Sequence, residues 1–255
     1  KVLSYPPWRN LTRGSRILST TVGPIPNNAG QVMTVNGLMN PGHLGSIIMH
    51  EHLFIELWRD KVPTFDALVT ESLLWDEKLT IENLHLAHRR EYIKDNYILR
   101  DEDMIITETM QFKKRGGSTI VDVTSIGLGR DPHALQRVSR ATGLNIVMGS
   151  GWYQKAYHPD NMDQLTVEEM ADEIVHDVIV GVGDTGVRSG IIGEVGINGE
   201  PLTPNEIKSL QASACASRVT GAAITLHRGG AGRERLETMS ILGEDGADLS
   251  RVIFG

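Results

Sequence analysis

From residue 100 onward the chain switches between helical and strand spacing of its apolar residues at regular intervals. In RDEDMIITETMQFKKRGG (100–117) apolar residues recur on one helical face up to Gly116, and STIVDVTS (118–125) follows as an apolar strand. DPHALQRVSRATG predicts a helix with Asp131 as N-cap, Pro132 in the first turn and Gly143 as C-cap. LNIVMGSG is the next strand. TVEEMADEIVHDVIVG opens with a capping box, Thr166 to Glu169. GIIGEVG is a strand, and TPNEIKSLQASACASRVTG is a helix started by Thr203, Pro204 and Glu206. AAITLH, GRERLETMSILGEDGA and RVIFG complete the series as strand, helix and strand.

Upstream, QVMTVNGLMNPGHLGSIIMHEH reads as a short strand, an NG turn, a loop and a buried strand. Residues 56–100 are charged and uneven, an insertion with helical pieces such as TIENLHLAHRREYIKD. Residues 1–30 form a loose extension, which leaves one domain over 31–255.

Strict alternation of helices with strands apolar on both faces means a parallel sheet covered by helices. A doubly wound sheet and a (β/α)8 barrel both satisfy it. No glycine-rich phosphate loop follows the first strand, and IGLGRD lacks the full dinucleotide fingerprint. Polar residues gather instead at strand ends: His50 and His52, Asp122, Glu194 and His227. Barrel enzymes keep their chemistry there, so the barrel is the favoured α/β fold. About six barrel strands are present where closure needs eight, and RVIFG leaves a bare apolar edge. The expectation is a barrel whose C-terminal part is missing.

Composition narrows the partners. The 255 residues are 40% hydrophobic and 22% charged, as in globular domains. A net charge of −7 disfavours nucleic acid and anionic membranes as partners. Residues 1–50 carry Lys1, Arg9, Arg13 and Arg16 and no acid, so the remainder holds −11. That basic, hydroxyl-rich opening resembles a mitochondrial transit peptide, against which stand its prolines. The single Cys215 allows neither an internal disulfide nor a cysteine metal cluster, and it suits the cytoplasm. No apolar run is long enough to span a bilayer. Small molecules remain as the expected partners, with homo-oligomerisation left open.

The chemistry begins at IIMHEH (47–52). On a strand, His50 and His52 point one way and Glu51 the other. Two imidazoles on one face can grip a metal ion, or can be ordinary polar residues at a frayed strand end. Glu194, inside an apolar parallel strand, would be a buried charge, costly unless paired or bound to metal. His227 is similarly polar for a buried strand end. Imidazole and carboxylate suit zinc, and a carboxylate can bridge two ions that together hold and ionise a water. Hydrolysis of an ester, amide or phosphoester is the chemistry to expect. Asp122 is either a partner of the ligands or a satisfied structural acid, the second being favoured.

Residues 31–255 resemble the phosphotriesterase-related branch of the amidohydrolase superfamily. The resemblance rests on MHEHL (49–53), GLGRD (127–131), GWYQKAYHP (151–159), IIGEVG (191–196), LHRGG (226–230) and ADLSRVIFG (247–255). It implies a (β/α)8 hydrolase with two divalent ions, usually zinc. His50 and His52 would hold the more buried ion, Glu194 would bridge, and His227 would hold the other. True phosphotriesterases bridge with a carboxylated lysine. A glutamate there implies amide or ester substrates, N-acyl taurine-type amides among them, over organophosphates. The family's histidine after strand six and its catalytic aspartate after strand eight do not occur before Gly255. The chain would thus hold four of six ligands, and an inactive binding or regulatory relative is the alternative.

Four further residues are candidates for substrate binding. Tyr153 and His158 follow the third strand, where a loop tyrosine is as easily a packing residue. Arg130 and Arg228 could hold an anionic group of a substrate, or could anchor their loops to a carboxylate. His43, His85, His88, His133 and His176 read as solvated, and Cys215 as a small core residue.

Overall fold

The computed structural model of the chain describes residues 27–63, 69–89, 93–227 and 233–255. Most of the predicted 1–30 extension, and Arg228, lie outside them. A Val35–Asn36 turn, one residue before the Asn-Gly pair read from the sequence, joins β1 (Val32–Thr34) to β2 (Gly37–Met39) as an antiparallel hairpin, with Gly37 opening β2 at φ 118°. There follow β3 (Ser46–Glu51), β4 (Ile55–Glu56), α1 (Val69–Trp75), α2 (Leu84–His88) and β5 (Ile98–Leu99). The alternating part comprises α3 (Glu102–Lys114), β6 (Gly117–Asp122), α4 (Pro132–Thr142), β7 (Asn145–Met148), α5 (Val167–Ile179), β8 (Ile192–Val195), α6 (Pro204–Thr220), β9 (Ile224–Leu226), α7 (Arg233–Glu244) and β10 (Val252–Phe254). Among the described residues, no helix is long and apolar enough to cross a membrane.

Two parallel sheets run β3-β6-β7 and β8-β9-β10, each in chain order. Backbone bonds tie them together: Gly190 N–H to Met148 C=O at 2.9 Å, Ser150 N–H to Ile191 C=O at 3.1 Å, and Gly193 N–H to Ser150 C=O. Six strands therefore form one parallel succession, which among the described residues does not close into a barrel. Side chains alternate between its faces. Ile120, Ile146 and Met148 meet Leu135 and Val138 of α4, while Val121 and Val147 meet Val123 and Ile191 on the other face. A second core joins α5, α6 and α7 to β8 and β9. The hairpin docks on the strand beginnings, where Val35 N–H donates to Ile146 C=O at 2.9 Å and Gln136 Nε2 donates to Val35 C=O at 2.7 Å.

The caps form as the sequence predicts. Asp131 accepts from Ala134 N–H, Gly143 turns left-handed at φ 67°, and both capping boxes close. Two elements differ. β3 is not buried: Ile47 and Met49 are 40% and 47% exposed, because the strand has a paired neighbour on one side only. The helix expected within 80–95 shrinks to α2, since Asn83 does not cap it. Its side chain instead accepts from Thr80 N–H at 2.8 Å and donates to Lys78 C=O at 2.8 Å, closing a turn.

The 56–100 insertion leaves and rejoins the body through one neck. Ile55 pairs with Leu99 and Glu56 with Ile98, and Leu57 N–H reaches Tyr97 C=O at 2.8 Å.

Glu206 does more than cap α6. Its buried carboxylate accepts from Asn198 N–H at 2.5 Å, Gly199 N–H at 3.0 Å and Thr203 N–H at 2.7 Å, so it holds the loop that follows Glu194. Burial pushes its pKa up, but these donors outweigh it and hold the acid below its usual range. A depressed carboxylate stabilises the fold above its unfolded pKa, and the contribution is lost as pH falls through the folded value. Glu206→Gln should therefore cost about 1–3 kcal/mol at pH 7. In urea titrations the variant and the parent should converge as pH drops below ~4.

Candidate metal centre

Two strand ends, those of β3 and β9, converge on one carboxylate. Glu194, in the middle of β8, has a side chain 2% exposed. His50 Nε2 lies 3.0 Å from its Oε2, His52 Nε2 lies 3.2 Å from Oε1, and His227 Nδ1 lies 2.9 Å from Oε2. Strand alternation brings His50 and His52 to the same side, their rings edge to face at 5.6 Å. An irregularity in β3 between Ile48 and Glu51 falls at these residues, as bulges do beside functional sites. Desolvation pushes the Glu194 carboxyl up, yet hydrogen bonds from His227, His50 and His52 outweigh it and hold the acid far below its usual range. The Glu194 bond in turn raises the His50 pKa, against burial.

Glycines make this convergence sterically feasible. A Cβ on Gly149 would strike the Gly193 carbonyl, and one on Gly193, at φ 121°, would strike that of Thr225. The backbones bracketing Glu194 thus lie in direct contact.

Behind the imidazoles stands Asp122, fully buried. Its Oδ2 accepts from Leu53 N–H at 2.7 Å and its Oδ1 from Thr124 N–H at 3.0 Å. Thr124 Oγ1 lies 3.0 Å from His52 Nδ1. Asp122 therefore fixes the turn after His52 and the hydroxyl that orients its ring, as the structural reading expected. Thr124 was not legible as a site residue, although its spacing of two from Asp122 puts both on one face of the chain.

Tyr153 closes the site on the other side. Its hydroxyl lies 3.1 Å from each ring nitrogen of His227, with the rings edge to face at 4.8 Å. Burial, then the charge of Glu194, pushes this phenol far up, so it stays protonated. The other substrate candidates are placed differently. The His158 imidazole is occupied by the Tyr153 carbonyl, 2.8 Å from its Nε2, and burial lowers its pKa. Arg130 is turned inward, with a side chain 7% exposed that donates to Asp177 Oδ2 at 2.9 Å and Gly149 C=O at 2.8 Å. Its role here is loop anchoring, the alternative weighed against anion binding. His43, His85, His88 and His133 are exposed and His176 half-buried, and Cys215 lies in the core.

Could these residues hold a metal? His50, His52 and Glu194 each offer a ligand atom, all within 4.8 Å of one another. His227 adds a third imidazole on the same carboxylate. A nitrogen-and-oxygen donor set around a desolvated anion fits a divalent ion such as zinc.

The chain has relatives among known proteins. Residues 30–255 match the sequence profile of the phosphotriesterase family. The chain is 39% identical over 246 residues to an N-acetyltaurine hydrolase of Dictyostelium discoideum, covering 89% of this chain and 66% of that protein. The human N-acetyltaurine hydrolase is 33% identical, over 88% of this chain and 64% of its own length. Among solved structures, a resiniferatoxin-binding protein from Rhodobacter sphaeroides superposes with TM-score 0.82 at 35% identity, covering 89% of this chain and 63% of its own. A phosphotriesterase homology protein from Escherichia coli, complexed with phosphate in its active site, superposes with TM-score 0.66 at 28% identity, over 84% of this chain and 62% of its own. The chain thus spans a little under two-thirds of the length of these relatives.

The two fates of Arg130 are separable. Arg130→Ala should strand Asp177 as an unpaired buried charge and cost about 3–5 kcal/mol in urea unfolding. Zinc affinity, read by competition with a chromophoric chelator in native buffer, should stay within about twofold. An unchanged midpoint would argue against the anchoring role.

Proposed function

The chain belongs to the phosphotriesterase family, and from that premise we propose that the protein it comes from is a zinc-dependent hydrolase of amides or esters. The observation that carries this reading is the convergence of three imidazoles on the buried Glu194 carboxylate. In this reading residues 31–255 form one hydrolase domain of (β/α)8 type, and the site opens at the C-terminal ends of its strands. His50, His52, Glu194 and His227 would hold the metal, with His50 and His52 ligating one ion, His227 a second, and the Glu194 carboxylate shared between them. A divalent ion supplies Lewis-acid polarisation of a substrate oxygen and lowers the pKa of water from about 15.7 toward ~7.

The chain's own residues do the rest. Glu194 is held ionised by its donors and serves as a ligand without first losing a proton. Thr124 accepts from His52 Nδ1 when Nε2 is a ligand, and so fixes that tautomer. The protonated Tyr153 hydroxyl can only donate toward an oxygen arriving beside His227, so its part is to orient a substrate and not to remove a proton.

N-acyl taurine-type amides are the proposed substrates. The N-acetyltaurine hydrolases among the relatives support this, as does a glutamate at the bridging position. The cytoplasm is the proposed location. A second reading, ligand binding without turnover, draws support from the likeness to the protein named for binding resiniferatoxin.

The test uses the protein purified from its source, assayed with N-acetyltaurine and with an aryl dialkyl phosphate triester. We expect two equivalents of zinc by mass spectrometry, amide hydrolysis, and much weaker attack on the triester. A chelator should abolish turnover and zinc should restore it. Glu194→Gln should lower kcat/KM at least about 100-fold and release metal. Metal and turnover retained in that variant would refute the bridging role, and tight ligand binding without any hydrolysis would favour the second reading.

A further inference from the structure

The 56–100 excursion meets the candidate site at Tyr157, against whose apolar cluster Leu57 also packs. Tyr157 is 1% exposed, and its hydroxyl donates to Asp60 Oδ1 at 2.5 Å, the length of a charge-assisted bond. Asp60 lies just past the neck, and its other oxygen meets Lys61 Nζ at 2.7 Å. Lys61, then Tyr157, hold its acid below the usual range against desolvation.

The Tyr157 ring stands edge to face on Tyr153 at 5.5 Å, and Tyr153 stands in the same manner on His227. Ile55 and Leu128 complete the apolar cluster around both tyrosines. The backbone of Tyr157 is pinned too, since Gly127, at φ 90°, leaves no room for a Cβ against its carbonyl. Glu56 N–H, at the neck, donates to Leu128 C=O at 2.7 Å. Phenylalanine would fill this cluster as well as tyrosine. What the two hydroxyls add is a fixed end at each side: Asp60 outside and His227 inside.

We infer that Tyr157, tethered by Asp60, is a positioning residue that sets Tyr153 against His227 and so links the excursion to the metal site. The inference rests on the metal reading for its consequence, while its geometry can be tested without metal.

In metal-free protein at fixed pH, the imidazole nitrogens of His227 are read by 15N NMR. Tyr157→Phe and Asp60→Ala should each shift them. Asp60→Asn, which keeps an acceptor, should restore the parent spectrum. Tyr153→Phe,Tyr157→Phe should match Tyr153→Phe alone, because Tyr157 acts through the Tyr153 hydroxyl. With cobalt(II) as probe, Tyr157→Phe should weaken binding about tenfold and alter the visible absorption, and Asp60→Asn should leave both as in the parent. His227 signals indifferent to Tyr157→Phe, or shifts that simply add to those of Tyr153→Phe, would overturn the inference. A parent protein that takes up no cobalt would defeat the metal reading instead, and the NMR result would still decide the role of Tyr157.

Discussion

Desolvating one carboxylate is the constraint on which the arrangement depends. An isolated buried carboxylate is among the costliest groups a protein can contain. Glu194 becomes tolerable because three imidazoles from two strand ends, those of β3 and β9, reach it together. Those donors lie 142 to 144 positions before it and 33 after it in sequence, and only parallel strands in register bring them to one point. The fold and the site are in this sense one solution to one electrostatic problem. A divalent cation held there would deepen that solution, its charge taking the neutralising part of the imidazole protons.

The backbone supplies the tolerances. Gly149, Gly193 and Gly127 sit where a neighbouring carbonyl occupies the space of a side chain. Close main-chain contact shortens the path between strand ends and leaves Glu194 and its imidazole partners little freedom to drift. Asp122 contributes at the same scale, one oxygen fixing the backbone after His52 and the other that of Thr124, whose hydroxyl meets the His52 ring. Such groups touch no substrate, yet they determine where the imidazoles point.

Much of this was visible in the sequence wherever the determinants are local. The capping boxes of α5 and α6 and the left-handed Gly143 depend on residues within a few positions of one another. The ligands stood out for a different reason, as polar residues placed where an apolar strand has no ordinary use for them. What escaped was nonlocal. The Tyr157–Asp60 bond joins residues 97 apart in sequence, and nothing near either residue announces the other. Arg130 showed the same limit from the other side. Its neighbours could not reveal that Asp177 waits in α5 to neutralise it. The exposure of β3 likewise follows from how many strands flank it, which no local pattern encodes.

The narrow neck formed by β4 and β5 has an evolutionary corollary. A segment that departs and returns through a two-residue ladder presents the same end-to-end span to the body whatever its length. Loop-closure entropy grows only slowly with added residues, so the excursion can lengthen, shorten or be replaced at little thermodynamic penalty. Its first positions are held to the body at Asp60, whose carboxylate accepts from Tyr157. Between the two ends of the neck the segment can therefore vary in length without changing how β4 and β5 meet, which makes this ladder a natural junction at which one excursion could replace another while the strand ends around Glu194 stay fixed.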